Sequence, residues 1–264
     1  MTRLEMRSQT LVVADLDGTL TFTEDRPEPA VMAAWDRLTS IRGVRMAVAT
    51  ARAPVFVRNW FRHRLQHTDA VCCNGALVLP AGGPASPWAL PVPAVHQVTR
   101  QLARTAVSYR VDYGEHFVAR GPDVMPWMLD AHRRELAPDV APRCDGVVRM
   151  LVSCSKTAQR AAAGLPGVTV IPHSTGDADV VATGVGKEAA VATLRRGGEQ
   201  MIALGNDEND RGLLQAADAA YVVGTRLTDL DAAPHVRRVP AGTPPVAGLL
   251  TDLADSLARR TVLA

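Results

Sequence analysis

The sequence predicts an α/β protein in which a parallel β-sheet core is interrupted by an inserted α+β module. Strand-like and helix-like segments alternate over residues 1–80 and again from residue 175, as they do in parallel sheets with crossover helices. Between these regions the local amino-acid composition and the order of strands and helices change. Apolar residues make up 47% of the chain and aromatic residues 4%, which favours helices packed on a valine-rich sheet over an aromatic-rich sandwich.

The first region, residues 1–80, alternates short apolar runs with helical patterns. Val31, Trp35 and Leu38 recur at helical spacing and indicate the first helix. The expected elements are a strand at 11–14, a helix at 29–38, a strand at 44–49, a helix at 54–65 and a strand at 70–73.

The middle region, residues 81–174, opens with a stretch crowded with glycine and proline, which is typical of a boundary. We expect a helix at 95–107, strands at 110–113 and 116–119, a helix at 124–136, a strand at 147–154, a helix at 156–163 and a strand at 168–172. This order differs from simple alternation, so we interpret 81–174 as an inserted α+β domain.

Alternation resumes from residue 175, which makes the core discontinuous, with residues 1–80 and 175–264 forming one domain. The expected elements are strands at 178–182, 201–204 and 219–223 and helices at 187–196, 208–217 and 245–259.

Charge and the N-terminal segment restrict the class of protein. The net charge is +2, from 29 basic and 27 acidic residues, which is too balanced to indicate a nucleic-acid partner. Residues 1–10 are polar, and the apolar run after them is too short for a signal peptide or a membrane span. We therefore expect a cytoplasmic protein with no membrane partner.

Two acidic residues follow the first strand directly, in the run Asp15-Leu16-Asp17-Gly18-Thr19-Leu20. Residues i and i+2 of an extended segment share a face, so both carboxylates can face one point, where each tends to raise the pKa of the other unless a cation is present. The pattern therefore predicts a metal, a carboxylate able to attack phosphorus and a second able to handle a proton. An Asx turn is the alternative, because aspartate and glycine also favour turns.

Three further polar motifs follow in order. Thr50-Ala51-Arg52 comes after the strand at 44–49, and the fork of Arg52 suits a phosphate. Lys187 begins a predicted helix, where a cation is disfavoured by the helix dipole and a nearby anion would explain it. The run at 205–210, Gly-Asn-Asp-Glu-Asn-Asp, follows the strand at 201–204.

These four motifs together resemble those of the haloacid dehalogenase (HAD) superfamily of phosphohydrolases, which has a Rossmann-like parallel sheet core. Asn74-Gly75-Ala76 and the insertion between the second and third motifs resemble its Cof-like branch, in which a type-two cap domain governs substrate specificity. The resemblance implies an aspartyl-phosphate mechanism with Asp15 as nucleophile, Asp17 as general acid/base and Mg²⁺ as cofactor. It implies that the phosphate is bound by Thr50, Ala51, Arg52, Lys187 and Asn209, and the metal by Asp15, Asp17, Asn206, Asp207 and Asp210.

The sequence departs from the superfamily pattern at two positions. Ala51 replaces the usual glycine, and Asn206 replaces the first metal-binding aspartate of the fourth motif. Asparagine can bind Mg²⁺ through its carbonyl oxygen but brings no charge, so we expect a lower Mg²⁺ affinity unless Asp207 or Asp210 compensates. Whether Asn206 or Asp207 binds the metal is left open.

The cap is expected to contact the leaving group of a small phosphorylated metabolite, for which we expect a sugar or polyol phosphate. Polar residues at strand ends and turns are the candidate contacts, namely Tyr113, His116, Arg120, Arg149 and His173. Two alternatives to a phosphatase remain open: a phosphomutase on the same scaffold, and a catalytically weakened regulatory protein that binds phosphate esters, suggested by Asn206. The sequence gives no indication of oligomeric state.

Overall fold

The structure, a computed structural model, describes residues 9–23, 26–121, 132–134, 136–137, 140–173 and 175–262. Its strands are β1 Thr10–Ala14, β2 Val44–Ala49, β3 Thr68–Cys72, β4 Leu77–Leu79, β5 Ser86–Pro87, β6 Tyr109–Asp112, β7 Phe117–Arg120, β8 Arg149–Val152, β9 Val168–Pro172, β10 Ala178–Ala182, β11 Gln200–Gly205, β12 Ala219–Val223 and β13 Val236–Val239. Its α-helices are α1 Pro29–Thr39, α2 Pro54–Phe61, α3 Val92–Leu102, α4 Ser155–Ala162, α5 Lys187–Leu194, α6 Arg211–Ala216 and α7 Thr243–Val262.

The strands form two separate sheets. The first has the order β13-β12-β11-β1-β2-β3-β4-β5, parallel from β13 to β3 and antiparallel at β4 and β5. All five residues of β1 are buried, as expected of a strand covered on both faces. Helices α1, α2 and α7 contribute to the core on one face, and α5 and α6 to the core on the other. The prediction of an α/β core is confirmed.

The second sheet is antiparallel, with the order β7-β6-β8-β10-β9. Side chains of one face, including those of Val111 and Met150, pack with residues of α3 and α4. Because side chains alternate along a strand, the other face carries Arg110, Asp112 and Arg149. The predicted α+β cap is therefore a sheet with helices on its outer face and charged residues on its inner face.

The pairing of β10 differs from the sequence prediction, which placed the strand at 178–182 in the core. β10 pairs with β8 and β9 in the second sheet, because it forms a hairpin with β9, closed by the hydrogen bond from His173 N to Asp177 O at 2.9 Å. The return to the core therefore comes after Ala182, instead of at residue 175. An apolar run shows that a strand is buried, but not which sheet it joins.

Other elements differ in detail from the predictions. The strands β4, β5 and β13 were not predicted, and the fourth motif forms a 3-10 turn at Glu208–Asp210 before α6 begins. The helix predicted at 124–136 falls mostly outside the described residues. Across the part of the chain that is described, no helix is both long enough and apolar enough to cross a membrane.

Candidate active site

Three of the four motifs contribute residues to a cavity between the two sheets, and the third motif, Lys187, lies directly behind it. Asp15, Thr50 and Asn206 directly follow β1, β2 and β11, which are adjacent parallel strands. The cavity has a volume of about 460 Å³. We call its core side the floor, which includes Asp15, Asp17, Ala51, Arg52, Asn206, Asp207, Glu208 and Asn209. We call its cap side the roof, which includes Arg110, Arg149, Leu151, Pro172, His173, Thr175 and Asp177.

A buried lysine joins two acidic residues beneath the floor. Lys187 Nζ lies 2.6 Å from Asp15 Oδ1 and 2.7 Å from Asp210 Oδ1. Burial lowers the pKa of Lys187, but the two carboxylates outweigh this and the net shift is upward. Burial and the neighbouring Asp210 raise the pKa of Asp15 to about 8. The Asp15 site therefore has more negative charge than one lysine neutralises, and a further cation would favour the ionised carboxylate.

Asp17 is held by an arginine. Arg52 donates from Nε to Asp17 Oδ1 and Oδ2, at 2.9 and 2.8 Å, and from Nη2 to Oδ1 at 2.6 Å. The guanidinium also lies over the rings of Phe56, at 4.9 Å, and Trp60, at 4.4 Å. These rings are one helical turn apart on α2, so they share a face and fix Arg52. Arg52, predicted to contact phosphate, contacts the proposed acid/base instead, and its contact with phosphate stays a prediction.

The second motif forms a tight loop beside Asp15. Thr50 is buried, and its Oγ1 accepts a hydrogen bond from Arg52 N at 3.0 Å. The carbonyl of Ala51 accepts a hydrogen bond from Arg149 of the cap. The loop is thus held from both domains. Thr50 is not among the described residues that line the cavity, and its contact with phosphate stays a prediction.

The oxygens expected to bind a metal converge on Asn206. The hydrogen-bond network assigns an amide orientation in which Nδ2 donates to the Asp17 carbonyl at 2.9 Å and to Asp15 Oδ2 at 3.2 Å. Gly18 has a φ of +77°, and a Cβ there would lie 2.3 Å from the other terminal atom of the Asn206 amide, so only glycine fits. The Asn206 amide therefore sits against Asp15 Oδ2 and the Asp17 carbonyl oxygen, and these oxygen donors fit a hard, oxygen-seeking cation.

Asp207 and Asp210 of the fourth motif, which were also predicted to bind the metal, are already engaged. Asp210 is buried, and its Oδ1 contacts Lys187. Its Oδ2 accepts hydrogen bonds from the backbone N–H groups of Asn206 and Asp207, at 2.9 and 3.2 Å. Asp207 accepts from Glu208 N at 2.8 Å and from Arg226 Nη1 at 2.5 Å. Within the described ranges, no three histidine, cysteine or acidic side chains form a group suited to a metal. An amide oxygen and a backbone carbonyl, which the Asn206 site offers, are ligands of other types and do not count towards such a group.

An asparagine that the sequence analysis did not count as a site residue connects the floor to the cap. Asn74 Nδ2 donates to Asp179 Oδ2 of β10 at 2.6 Å, and its Oδ1 accepts from Asn209 Nδ2 at 2.9 Å. Asn74 has a φ of +54°, which asparagine tolerates better than most residues. The sequence signal that could have identified Asn74 as a site residue is its position at the end of a strand, directly before a glycine.

The five cap residues predicted to contact substrate divide into two groups. Arg149 and His173 line the cavity. Tyr113, His116 and Arg120 do not line it. The Tyr113 hydroxyl donates to Arg143 O at 2.7 Å, and the Tyr113 ring stacks on the His116 ring with centroids 4.9 Å apart. Arg120 donates to backbone carbonyls, including that of Ala137 at 3.0 Å. The sequence analysis missed the roof residues Arg110, Thr175 and Asp177. Arg110 lies inside a strand, where no sequence signal distinguishes the inner face from the outer.

Comparisons with known proteins agree with this geometry. Residues 12–117 match the family model of haloacid dehalogenase-like hydrolases. A search of curated proteins found no match.

Among solved structures, a haloacid dehalogenase-like hydrolase from Bacteroides thetaiotaomicron is similar with a TM-score of 0.76 and 18% identity, covering 93% of this chain and 100% of that one. A haloacid dehalogenase-like hydrolase from B. subtilis is similar with a TM-score of 0.73 and 15% identity, covering 93% and 100%. A sugar phosphatase of HAD subclass IIB is similar with a TM-score of 0.70 and 16% identity, covering 95% and 98%. Residues 12–117 thus match the family that the motifs resemble, and the solved structures show that the chain has the same fold as haloacid dehalogenase-like hydrolases.

Proposed function

We propose that the protein is a Mg²⁺-dependent phosphomonoesterase that acts on a small phosphorylated metabolite through an aspartyl-phosphate intermediate. The observation that carries the proposal is the Asp15 carboxylate, which lies 2.6 Å from the buried Nζ of Lys187 and lines a cavity that also contains Asp17. The likeness to a sugar phosphatase supports a phosphorylated sugar or polyol as the substrate class.

In the first step, the Asp15 carboxylate attacks phosphorus while Asp17 gives its proton to the leaving alkoxide. The new bond is between Asp15 and phosphorus, and the bond that breaks joins phosphorus to the ester oxygen. In the second step, Asp17 removes a proton from water, which attacks phosphorus and releases inorganic phosphate and free Asp15. Lys187 and Thr50 bind phosphoryl oxygens as charge develops on them.

Mg²⁺ would be held by the Asp15 carboxylate, the Asp17 carbonyl and the Asn206 amide oxygen, after the amide turns its oxygen inward. When bound, it would neutralise charge on Asp15 and on the phosphoryl group. Lys187 is already shared between Asp15 and Asp210, so its single charge does not balance two carboxylates and a phosphoryl group.

The proposal is tested by incubating the protein with Mg²⁺ and a panel of sugar, polyol, nucleotide and cofactor phosphates and measuring inorganic phosphate. Release of one phosphate per ester consumed is the expected result. Isomerisation of a sugar phosphate without phosphate release would instead indicate a mutase, and binding without turnover would indicate a regulatory protein. A strong preference for a mononucleotide would change the substrate class.

A further inference from the structure

The roof contains a buried aspartate that is shared by two arginines. Arg110 and Asp112 are two residues apart on β6 and share its inner face, and Asp112 is directly opposite Arg149 of β8. Asp112 Oδ1 accepts from Arg110 Nε at 2.6 Å, and its Oδ2 accepts from Arg149 Nε at 2.8 Å. All three residues are buried.

The charges of this cluster are arranged by depth. Both arginines line the cavity, whereas Asp112 does not. A second acid, Asp179 of β10, is also buried, and its Oδ2 lies 3.4 Å from Arg149 Nη1. The acids therefore support the arginines from behind, and the surface that faces the substrate is cationic. A buried cation is stabilised further when an anion of a ligand reaches it.

Of the two arginines, Arg110 has hydrogen-bonding capacity left. Arg149 is committed to Asp112, to Asp179 and to the Ala51 carbonyl. Arg110 directs Nε and Nη2 at Asp112, and within the described part of the chain its Nη1 forms no hydrogen bond. Its guanidinium lies 4.4 Å from the ring centroid of Phe117, so its orientation is fixed.

His173 adds a third cation to the roof. Its Nδ1 lies 3.1 Å from Asp177 Oδ2 and its Nε2 lies 3.3 Å from Asp179 Oδ2. Burial lowers the pKa of His173, but the hydrogen bonds to Asp177 and Asp179 outweigh it and raise the pKa to about 9. The imidazole is therefore protonated at neutral pH. Among the described residues of the roof lining, Asp177 is the one acid, against three cations.

We infer, on the basis of the proposed phosphatase function, that the leaving group of the substrate carries a second anionic group, a carboxylate or a second phosphate, which binds Arg110 at the roof. The phosphoryl group at the floor and the second anion at the roof would place the substrate across the cavity. Neutral sugar phosphates would leave the Arg110 donor without a partner, so they would bind more weakly.

The test uses two matched pairs of esters: 3-phosphoglycerate against glycerol 3-phosphate, and glucose 1,6-bisphosphate against glucose 6-phosphate. For the wild type, we expect kcat/KM to favour the charged member of one pair by about tenfold or more, as for one charge-assisted hydrogen bond. The pair that shows the preference distinguishes a carboxylate from a phosphate. Equal kcat/KM within both pairs would overturn the inference.

Variants assign the preference to Arg110. Arg110→Gln is expected to reduce the preference by about tenfold. Arg110→Lys keeps the charge and is expected to retain part of the preference, and it also serves if the glutamine variant does not fold. Arg104→Gln removes an exposed arginine of the cap and should leave the preference unchanged. Equal losses for both members of a pair in both Arg110 variants would contradict the assignment.

Binding separates this inference from the proposed function. The same four esters are titrated by calorimetry into Asp15→Asn, which lacks the proposed nucleophile. If no ester is hydrolysed by the wild type, including p-nitrophenyl phosphate, the proposed function fails. The inferred anion site then stands if Asp15→Asn binds the charged member of a pair about tenfold more tightly, and it fails if the dissociation constants within each pair are equal.

Discussion

The floor and the roof of the cavity are built from buried ion clusters of opposite composition. At the floor, one cation, Lys187, lies between two carboxylates, those of Asp15 and Asp210. At the roof, one carboxylate, that of Asp112, lies between the guanidinium groups of Arg110 and Arg149. The floor triad carries an excess negative charge, which a further cation would compensate. At the roof, Asp179 lies 3.4 Å from Arg149 and balances the second arginine, so an added anion would gain mainly the donor of Arg110 that faces the cavity.

The two clusters also differ in the element that supports them. The floor is held on loops at the ends of β1 and β11 and on the first residue of α5, where backbone N–H groups and side chains converge. The roof is held on strand interiors, where sheet pairing fixes each side chain. The floor therefore suits groups that take part in chemistry, and the roof suits groups that hold a leaving group in one orientation.

Removing the nucleophile is the strongest test of the floor. Asp15→Asn should reduce turnover by about 10⁴-fold or more, or about 5.4 kcal/mol of activation free energy, because an amide is a very poor nucleophile. Release of inorganic phosphate gives the rate, and circular dichroism verifies that the fold is intact. Activity retained above about one percent of the wild-type rate, a loss of less than ~2.7 kcal/mol, would contradict the assignment of Asp15.

The roof is tested by the pH dependence of stability. Because the pKa of His173 is raised from 6.5 to about 9 in the folded protein, its protonated form stabilises the fold by on the order of 3 kcal/mol. This contribution is fully present below pH ~6.5, the unfolded pKa, and is lost as the pH rises through about 9. His173→Asn should therefore lower the free energy of unfolding most at pH 6 and progressively less towards pH 10.

The control for this experiment is His96→Asn, which changes an exposed histidine of α3. Urea unfolding of the three proteins across the pH range gives the free energies. A difference between wild type and His173→Asn that stays constant from pH 6 to 10 would show that the His173 contribution comes from packing and not from its charge.

Arg52 of the floor holds Asp17 and packs on Phe56 and Trp60 of α2, and its loss should have an intermediate effect. Because Arg52 holds the Asp17 carboxylate with three hydrogen bonds, Arg52→Gln should reduce kcat for alkyl phosphates by about 10²-fold, at the lower end of the range for general acid/base catalysis. The loss should be smaller for p-nitrophenyl phosphate, whose leaving group needs no proton. Equal losses for the two substrates would mean that Arg52 acts on the phosphoryl group instead.

The matched control is Arg64→Gln. Arg64 forms a similar pair with Asp36, at 2.6 and 2.7 Å, but on the surface. Surface pairs contribute little, so this variant should keep the wild-type rate with both substrates.

More residues of the floor than of the roof could be predicted from the sequence. Asp15, Thr50 and Asn206 follow adjacent parallel strands, so the order of the motifs is enough to bring them to one edge of the sheet. The contact between Arg52 and Asp17 was not predicted because it depends on how Phe56 and Trp60 orient the guanidinium. Arg110 was missed because its role requires the pairing of β6 with β8 and the inner face of the cap sheet, neither of which a single strand encodes.

The smallest expected effect concerns the metal at the floor. Because the Asn206 amide already lies against the Asp17 carbonyl and Asp15 Oδ2, a carboxylate at this position would face Mg²⁺ directly and add one negative charge. Asn206→Asp should therefore lower the Mg²⁺ concentration for half-maximal activity, by about tenfold or ~1.4 kcal/mol.

Asp207→Asn is the matched variant, one residue along the same loop. Asp207 is held by Arg226 and by the backbone N–H of Glu208, so its loss should change the Mg²⁺ requirement much less. Whether Asn206→Asp strengthens or weakens Mg²⁺ binding depends on where the Asp207 side chain lies. If Asp207 turned towards the metal, a further carboxylate would add repulsion and weaken binding. Titration of activity with Mg²⁺ in the three proteins decides the matter. A severe loss in Asp207→Asn with no gain in Asn206→Asp would assign the ligand to Asp207 and move the fourth motif by one residue.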